Sequence, residues 1–412
     1  MRMRKGCWTI ALALACAPGA RAADPPDMLP FALMGGAPSL DLRLRAEHVD
    51  NESAAQTRDS TATTLRARLG FTTGKWNDLD ASVEYEGVTA YDKLDYNNGT
   101  ASTTQSARPP IADPTGTELN QAWLRYSGIP KTTVQAGRVR LVLDNQRWVG
   151  NVGWRQNEQT YDGAVVTNKG LPGTEVTYAY VHNVNSILFT NFPLRANLVN
   201  ASYSPGSWLK ASLYGYWLDF DAANTGNRQD SQTQGLRLVG TPELSATAKL
   251  LYTVEYARQA EFEEASTAAD VDYWLGEAGA ILGPATLKAG YEVMGSNAGL
   301  YAVQTPLATL HAHDGWADLF LTTPATGLRD AYASAAAALG AATLSGAAHR
   351  FSADFGGADY GDEIDVSAGY AFNKQLAALV KYASYNASQS PAASFATNVD
   401  TEKGWLQLEY KF

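Results

Sequence analysis

Side chains along much of this chain alternate between two chemistries with a period of two, and that regularity excludes most folds. In SLDLRLRAEHVD, residues 39–50, Leu40, Leu42, Leu44 and Ala46 share one face, while Asp41, Arg43, Arg45 and Glu47 share the other. TLRARLGFTTG sets Leu65, Ala67, Leu69 and Phe71 against Arg66 and Arg68. LDASVEYEG sets Leu79, Ala81, Val83 and Tyr85 against Asp80, Ser82, Glu84 and Glu86. These are β-strands with one apolar and one charged face. Further strands are expected near 119–127, 133–143, 159–167, 174–182, 195–204, 208–218, 233–240, 246–257, 271–282, 286–295, 328–339, 342–353, 363–372, 376–385 and 403–412. The total is about eighteen, with sixteen as the alternative, and each is near the nine to eleven residues that cross a bilayer at a slant.

A soluble sandwich shares this alternation, so the connections decide. Short turns fall at 74–78, 128–131, 168–173, 205–207, 240–243, 283–284, Gly340 and 373–374, and long polar loops fall between them, notably at 92–118, 144–158 and 295–327. Short turns at one rim and long loops at the other define an all-β, transmembrane, antiparallel up-and-down β-barrel. Trp76, Tyr126, Tyr203, Trp208, Tyr370, Phe372, Tyr410 and Phe412 cluster at the short-turn ends, where an interfacial girdle belongs. The terminal stretch WLQLEYKF is itself a strand, expected to pair with the first so that no open edge faces lipid. Two segments fit less simply. In TVQAGRVRLVL the phase changes between Ala136 and Val139, so a β-bulge near Gly137 is expected, turning Arg138 and Arg140 inward. The alanine-rich run 334–348 is read as a strand pair, although its composition equally suits a helix.

Residues 1–22 carry Arg2, Arg4 and Lys5 ahead of an apolar run and end in Ala20-Arg21-Ala22, as a secretory signal peptide does. A lipoprotein reading through Cys16 is the weaker rival, since Ala13 stands where a large aliphatic residue is wanted. Residues 23–38 then form a periplasmic lead-in and 39–412 the barrel. Cleavage removes both cysteines, Cys7 and Cys16, and moves the net charge from −10 to about −14, which disfavours nucleic acid as a partner.

With the greasy faces toward lipid, the lumen receives Arg43, Arg45, Arg66, Arg68, Arg125, Arg138, Arg140, Lys210, Arg237, Lys249 and Lys288. Asp80, Glu84, Glu86, Glu255, Glu292, Glu363, Asp365 and Glu409 stand against them. A guanidinium keeps its charge and grips carboxylates with a planar fork, so this ladder suits a passing anion. The competing reading is that the arginines pair with lumenal carboxylates and stiffen the wall. His311 and His313 are spaced as a metal pair but read as loop surface residues without a third ligand. Asp354, Asp359, Asp362 and Glu363 read as a solvated acidic loop rather than a calcium site. No Ser/His/Asp set has the context of a hydrolase, so neither an enzyme nor a cofactor is expected.

The runs TLRARLG (64–70), TELNQAWLRY (117–126), AGRVRLVLDNQRWVGNVGWRQNEQTYDG (136–163) and TPLATLHAHDGWADLFLTTPATGLRD (305–330) resemble the alginate-export family of bacterial outer-membrane proteins. The resemblance implies an eighteen-stranded monomeric barrel with an electropositive pore, and it favours Arg45, Arg66, Arg68, Arg138, Arg147 and Arg155 as pore residues. Val139 stands where the family places a Gln after the Gly-Arg pair. The function so implied is passive, selective passage of anionic solutes of the uronate poly- or oligosaccharide type. A general diffusion porin or an uptake channel for small organic acids is the alternative. The partners implied are outer-membrane lipid and lipopolysaccharide, and the barrel-assembly machinery acting through the C-terminal strand.

Overall fold

A computed structural model describes residues 33, 35–51, 53, 55–221, 230–263, 269–389 and 398–412; the signal-peptide reading lies outside them. Eighteen long strands close into one antiparallel barrel. In chain order they are β1 Ala37–Asn51, β2 Ser60–Thr72, β3 Leu79–Ala90, β4 Gly116–Tyr126, β5 Thr132–Val139, β6 Thr160–Asn168, β7 Thr174–Asn185, β8 Asn191–Gly206 and β9 Leu209–Phe220. They continue as β10 Ser231–Gly240, β11 Ala248–Glu261, β12 Asp270–Leu282, β13 Ala285–Met294, β14 Leu328–Leu339, β15 Ala342–Ser352, β16 Asp359–Ala371, β17 Leu376–Ala387 and β18 Thr401–Lys411. Each strand pairs with its neighbours in sequence, and β18 pairs with β1 to close the ring. The last residue takes part in that closure: Phe412 N–H donates to Leu40 O at 2.8 Å and Leu40 N–H to Phe412 O at 3.1 Å.

The outer face is apolar because one of every two side chains must meet hydrocarbon. Leu69, Leu124, Leu213 and Leu406 are 61%, 63%, 63% and 59% exposed, far beyond what a water-facing sheet tolerates as a continuous belt. Trp76, Tyr126, Tyr203, Trp208, Tyr370, Phe372 and Phe412 are also exposed, all at the short-turn rim. The alanine-rich run forms β14 and β15, joined at Gly340-Ala341; Gly340 has a φ of +65°, the left-handed conformation a two-residue hairpin turn requires. Alternating connection length predicts a topology that can be checked. Tags inserted at 98–102 should be labelled on intact cells, and tags at 205–207 only after the outer membrane is opened; the reverse pattern would invert the barrel.

The bulge expected at Gly137 is absent. Pairing runs unbroken from Tyr126↔Val134 to Ala122↔Arg138, and from Thr132↔Asn168 to Val139↔Tyr161. The register shifts nearest to it fall instead at Glu84/Tyr85 on β3–β4 and at Asp162/Gly163 on β6–β7. Gly137, at φ +124°, still has a role, since a Cβ there would lie 2.2 Å from Ala122 O. Arg138 therefore keeps the phase of Val134 and Ala136. β5 also ends at Val139 rather than 143, so Arg140 belongs to the following loop.

The lumen is not uniformly wet. Toward the long-loop rim, inward residues such as Tyr214, Tyr216, Leu218 and Phe220 of β9 and Phe351 of β15 belong to an apolar core shared with Trp148, Val149, Leu307 and Phe320 of two loops. Those loops occupy the interior.

Candidate functional site

The loop 140–159 crosses the barrel. Near its start, the Asp144 carboxylate accepts from Asn200 of β8 at 2.6 Å and from Lys210 and Ser212 of β9 at 3.0 and 2.9 Å. Trp148 Nε1–H then donates to Glu255 of β11 at 2.9 Å, and Arg147 pairs with Glu292 of β13 at 2.8 Å. On the return, Arg43 of β1 donates to the carbonyls of Gly153, Trp154 and Arg155 at 3.1, 3.2 and 3.2 Å, and Arg45 to that of Trp154 at 2.7 Å. Since β1 and β9 lie on opposite walls of an eighteen-strand ring, the segment between these anchors spans the lumen.

The loop 295–327 meets it there. Gly150 N–H donates to Leu307 O at 2.8 Å, Thr309 N–H to Gln146 O at 3.0 Å, and Arg147 pairs with Asp314 at 2.8 Å. The wall holds this loop through backbone donors: Ala317 N–H reaches Glu363 Oε1 at 2.7 Å and Trp316 N–H reaches Asp365 Oδ2 at 3.3 Å. Asp318 gathers His311 at 2.7 Å, Lys403 at 2.8 Å and Arg155 at 3.4 Å. The two runs WRQN and LHAHDGWAD, far apart in sequence, thus meet inside the barrel. The Trp154 ring stacks on His311 at 4.5 Å and 7°, with Arg45 and Lys381 each 4.0 Å from its centroid. Asp144, Gln146, Val152, Asp314 and Asp318 all have positive φ, between 47° and 65°. Such strain persists only where surrounding contacts over-determine the backbone, and here it is concentrated at the anchors.

Electrostatics hold the loops in charged pairs. Burial pushes the Glu158 carboxyl up, but Arg140 and Arg68, with Asn120, outweigh it and leave it at about 2, so it stays ionised. Burial likewise favours a neutral Asp318, yet His311, Lys403 and Arg155 hold it well below the usual carboxylate range. His311 is pushed down to about 3 by burial despite Asp318. As a neutral ring it donates from Nδ1 to Asp318 and accepts at Nε2 from Lys381 at 2.9 Å. Burial opposes charge on Arg147 and Arg155, but Asp314 with Glu292, and Glu47 with Asp113, raise both above the ordinary arginine value.

Every arginine singled out in the sequence has a carboxylate partner. Arg43 pairs with Glu409 at 2.8 Å, and Arg66 with Asp41 at 2.5 Å and Glu409 at 3.3 Å. Arg68 pairs with Glu86 and lies 3.5 Å from Glu158; Arg45 lies 3.8 Å from Asp113. Arg155 reaches Glu47 at 2.9 Å, and Arg237 reaches Glu255 at 2.5 Å. Arg125 pairs with Asp80, and Arg140 with Glu158 and, at 3.5 Å, with Glu84. Glu84 also accepts from Asn120 and Gln121 at 2.7 and 3.0 Å. Arg138 is taken up by Asp162 at 2.8 Å and by Leu119 O at 2.9 Å, away from the crossing loop. Arg43 does stand directly opposite Arg66 in the β1–β2 register, but Arg45 faces Thr64 and Arg68 faces Asp41.

The arginines therefore divide into two groups. Arg45, Arg66 and Arg147 are fully buried and Arg155 nearly so; these hold loops and wall together and offer no surface to a solute. Arg125 and Arg140 keep 37% and 36% of their side chains exposed, and the inward lysines Lys210, Lys249 and Lys288 keep 46%, 42% and 38%. The histidines read as surface residues are drawn inside: His311 is buried, and His313 lines an interior cavity. Of the four acids read as a solvated loop, Asp359 and Asp362 pair with exposed Arg350 at 2.7 and 3.2 Å and Asp354 with Arg329 at 2.9 Å, whereas Glu363 is turned inward.

Residues 38–174 match the family model for Alginate export, a match that ends short of the run at 305–330. No curated protein matches the chain. Among solved structures, Pseudomonas aeruginosa OpdL aligns with 92% of this chain and 99% of its own at a TM-score of 0.69 and 17% identity. Acinetobacter baumannii OccAB3 aligns with 92% and 100% at 0.71 and 14% identity. Pseudomonas aeruginosa OccK3 (OpdO) aligns with 93% and 97% at 0.68 and 15% identity. At such identities the likeness is one of fold. The chain is an outer-membrane β-barrel whose residues 38–174 are similar to the alginate-export family.

Proposed function

We propose that this protein is a substrate-selective outer-membrane channel for anionic solutes, carboxylate-bearing saccharides of the uronate type among them. The observation that carries the reading is the crossing loop. A lumen bridged from β9 to β1 at Asp144 and at Gly153–Arg155 is divided by a held segment of chain, which favours a selective path over a general porin. Among the inward cations of the described residues, Arg125, Arg140, Lys210, Lys249 and Lys288 stay accessible, and in a confined, poorly screened space a few such charges shape the local potential. Their carboxylate partners reduce that field without removing the donors, because a guanidinium has five N–H groups and one carboxylate cannot use them all. The buried arginines contribute indirectly, by fixing the loop that narrows the path. A channel for small organic acids shares this chemistry and differs in solute size.

The test is the reversal potential of single channels in a KCl gradient, with uronate oligomers added on one side. Anion-selective current, occluded by the oligomer, is expected. Arg125→Ser with Arg140→Ser should reduce the anion preference and weaken occlusion while the barrel stays heat-modifiable. Cation selectivity in the unmutated protein, or unchanged selectivity in the double variant, would overturn the assignment.

A further inference from the structure

A cavity of about 350 Å³ lies between the loop segment 312–316 and the wall formed by β10 and β12–β15, clear of the arginine-rich wall of β1–β4. Its size is that of a small-molecule site. Its lining has an unusual balance. Trp316 and Tyr332 supply aromatic surface, and one face of Trp316 is fixed by Lys381, 3.6 Å from the ring centroid. Charged groups of both signs line the space and are already tied to partners: Lys288 to Glu277 at 3.2 Å, Arg237 to Glu255 at 2.5 Å, and Asp330 to His349 at 2.8 Å. Tyr332 also donates its hydroxyl to Glu277 at 2.9 Å.

Each of these pairs leaves hydrogen-bonding capacity unused: lone pairs on the carboxylates, N–H groups on Arg237 and Lys288. The four carboxylates of the lining are already held, Glu292 and Asp314 by Arg147 at 2.8 Å each, Glu277 by Lys288 and Asp330 by His349, so a charged solute of either sign would meet like charge and groups that already have partners. A hydroxyl group donates and accepts at once, so it suits both halves of the lining without introducing a charge. An aromatic ring beside such donors and acceptors suits the apolar face of a sugar ring, for the same reason that Tyr and Trp favour places where one side is greasy and the other wet.

We propose that this cavity is a subsite for an uncharged, hydroxyl-rich ring such as a monosaccharide unit. The proposal does not rest on anion selectivity and goes beyond it: a solute would be gripped by its hydroxyls on this wall whatever happens to its charge elsewhere. The test uses the full-length channel in planar bilayers with a neutral disaccharide as probe and lysine as the cationic control. Brief current blockades by the disaccharide are expected, with little effect of lysine. Ser334→Phe, which fills the cavity without removing an ion pair, should weaken disaccharide block at least tenfold. Glu277→Gln, a smaller change that keeps the shape, should weaken it less. The absence of disaccharide block in the unmutated channel, undiminished block in Ser334→Phe, or block by lysine alone would overturn the subsite. The reversal potential in the same membranes reads the anion assignment separately, so failure of one leaves the other standing.

Discussion

Channels carrying Arg45→Ala are expected to conduct several times more current than the unmutated protein and to lose much of their selectivity. Arg45 is fully buried, donates to Trp154 O at 2.7 Å and to Gln407 Oε1 at 2.6 Å, and lies 3.8 Å from Asp113. Its guanidinium also stacks on the Trp154 ring at 4.0 Å. Removing one side of a buried charged pair costs on the order of 3–5 kcal/mol when nothing else meets the charge left behind, and less here, because Arg155 still lies 3.7 Å from Asp113. The barrel has an alternative to unfolding, because the ladder hydrogen bonds of β1 to β2 and β18 do not involve this side chain. The strain is relieved when the segment around Trp154 leaves the wall and water reaches Asp113. Single-channel conductance reads this directly: a broad, noisy increase with normal heat-modifiability is expected, and conductance unchanged from the unmutated level would show that Arg43, the Arg155–Glu47 pair and the apolar contacts hold the loop without Arg45. Arg45→Lys should fall between the two, since an ammonium keeps the charge but lacks the planar fork.

Loss of Glu409 to Phe412 should nearly abolish folded protein in the membrane. Phe412 exchanges two backbone hydrogen bonds with Leu40, and Glu409 on the lumenal side accepts from Arg43 at 2.8 Å while lying 3.3 Å from Arg66. Truncation thus opens the β18–β1 seam and leaves Arg43 without its carboxylate. An open edge in hydrocarbon strands several backbone donors and acceptors, each costing several kcal/mol. The readout is the amount of heat-modifiable protein in outer-membrane fractions. Phe412→Ala, which keeps the backbone pairs, should be milder, and normal levels of the truncated chain would show that assembly does not need the last residues of the seam.

Much of the wall was legible in the sequence, and the interior was not. Strands β1 to β3 declare themselves because one face must be apolar and the other polar, a contrast visible at Leu40 through Glu47 without any knowledge of neighbours. The turns at Gly283-Pro284 and Gly340 carry their own chemistry in residues that accept tight geometry. The direction of Arg138 could not be read, because a phase change shows that a register shift is needed somewhere but not on which ladder, and the shifts lie on the strand pairs to either side. The loops were harder still. Nothing periodic marks 140–159 or 295–327, and the partners that draw them inward, Glu363 for Ala317 N–H and Arg43 for the Gly153 carbonyl, come from strands far away in sequence. The buried state of His311 depends on Lys381 and Asp318 together, which no local pattern reveals. One signal was available: the clustering of aromatic, charged and glycine residues in WRQN and LHAHDGWAD is dense for segments that would otherwise be solvated loops.

The crossing loop also orders events in time. Its anchors lie on β1, β8, β9, β11 and β13, so they stand at the right separation only after the sheet has curled far enough to bring opposite walls face to face. Contacts of such long sequence separation form late, since loop-closure entropy must be overcome before they stabilise anything. The ring must therefore pass through a wide, hollow stage whose backbone is paired while its centre is still filled with water. Substitutions at the anchors would prolong that stage rather than prevent closure, and a cell making such a variant would carry an intact barrel that leaks.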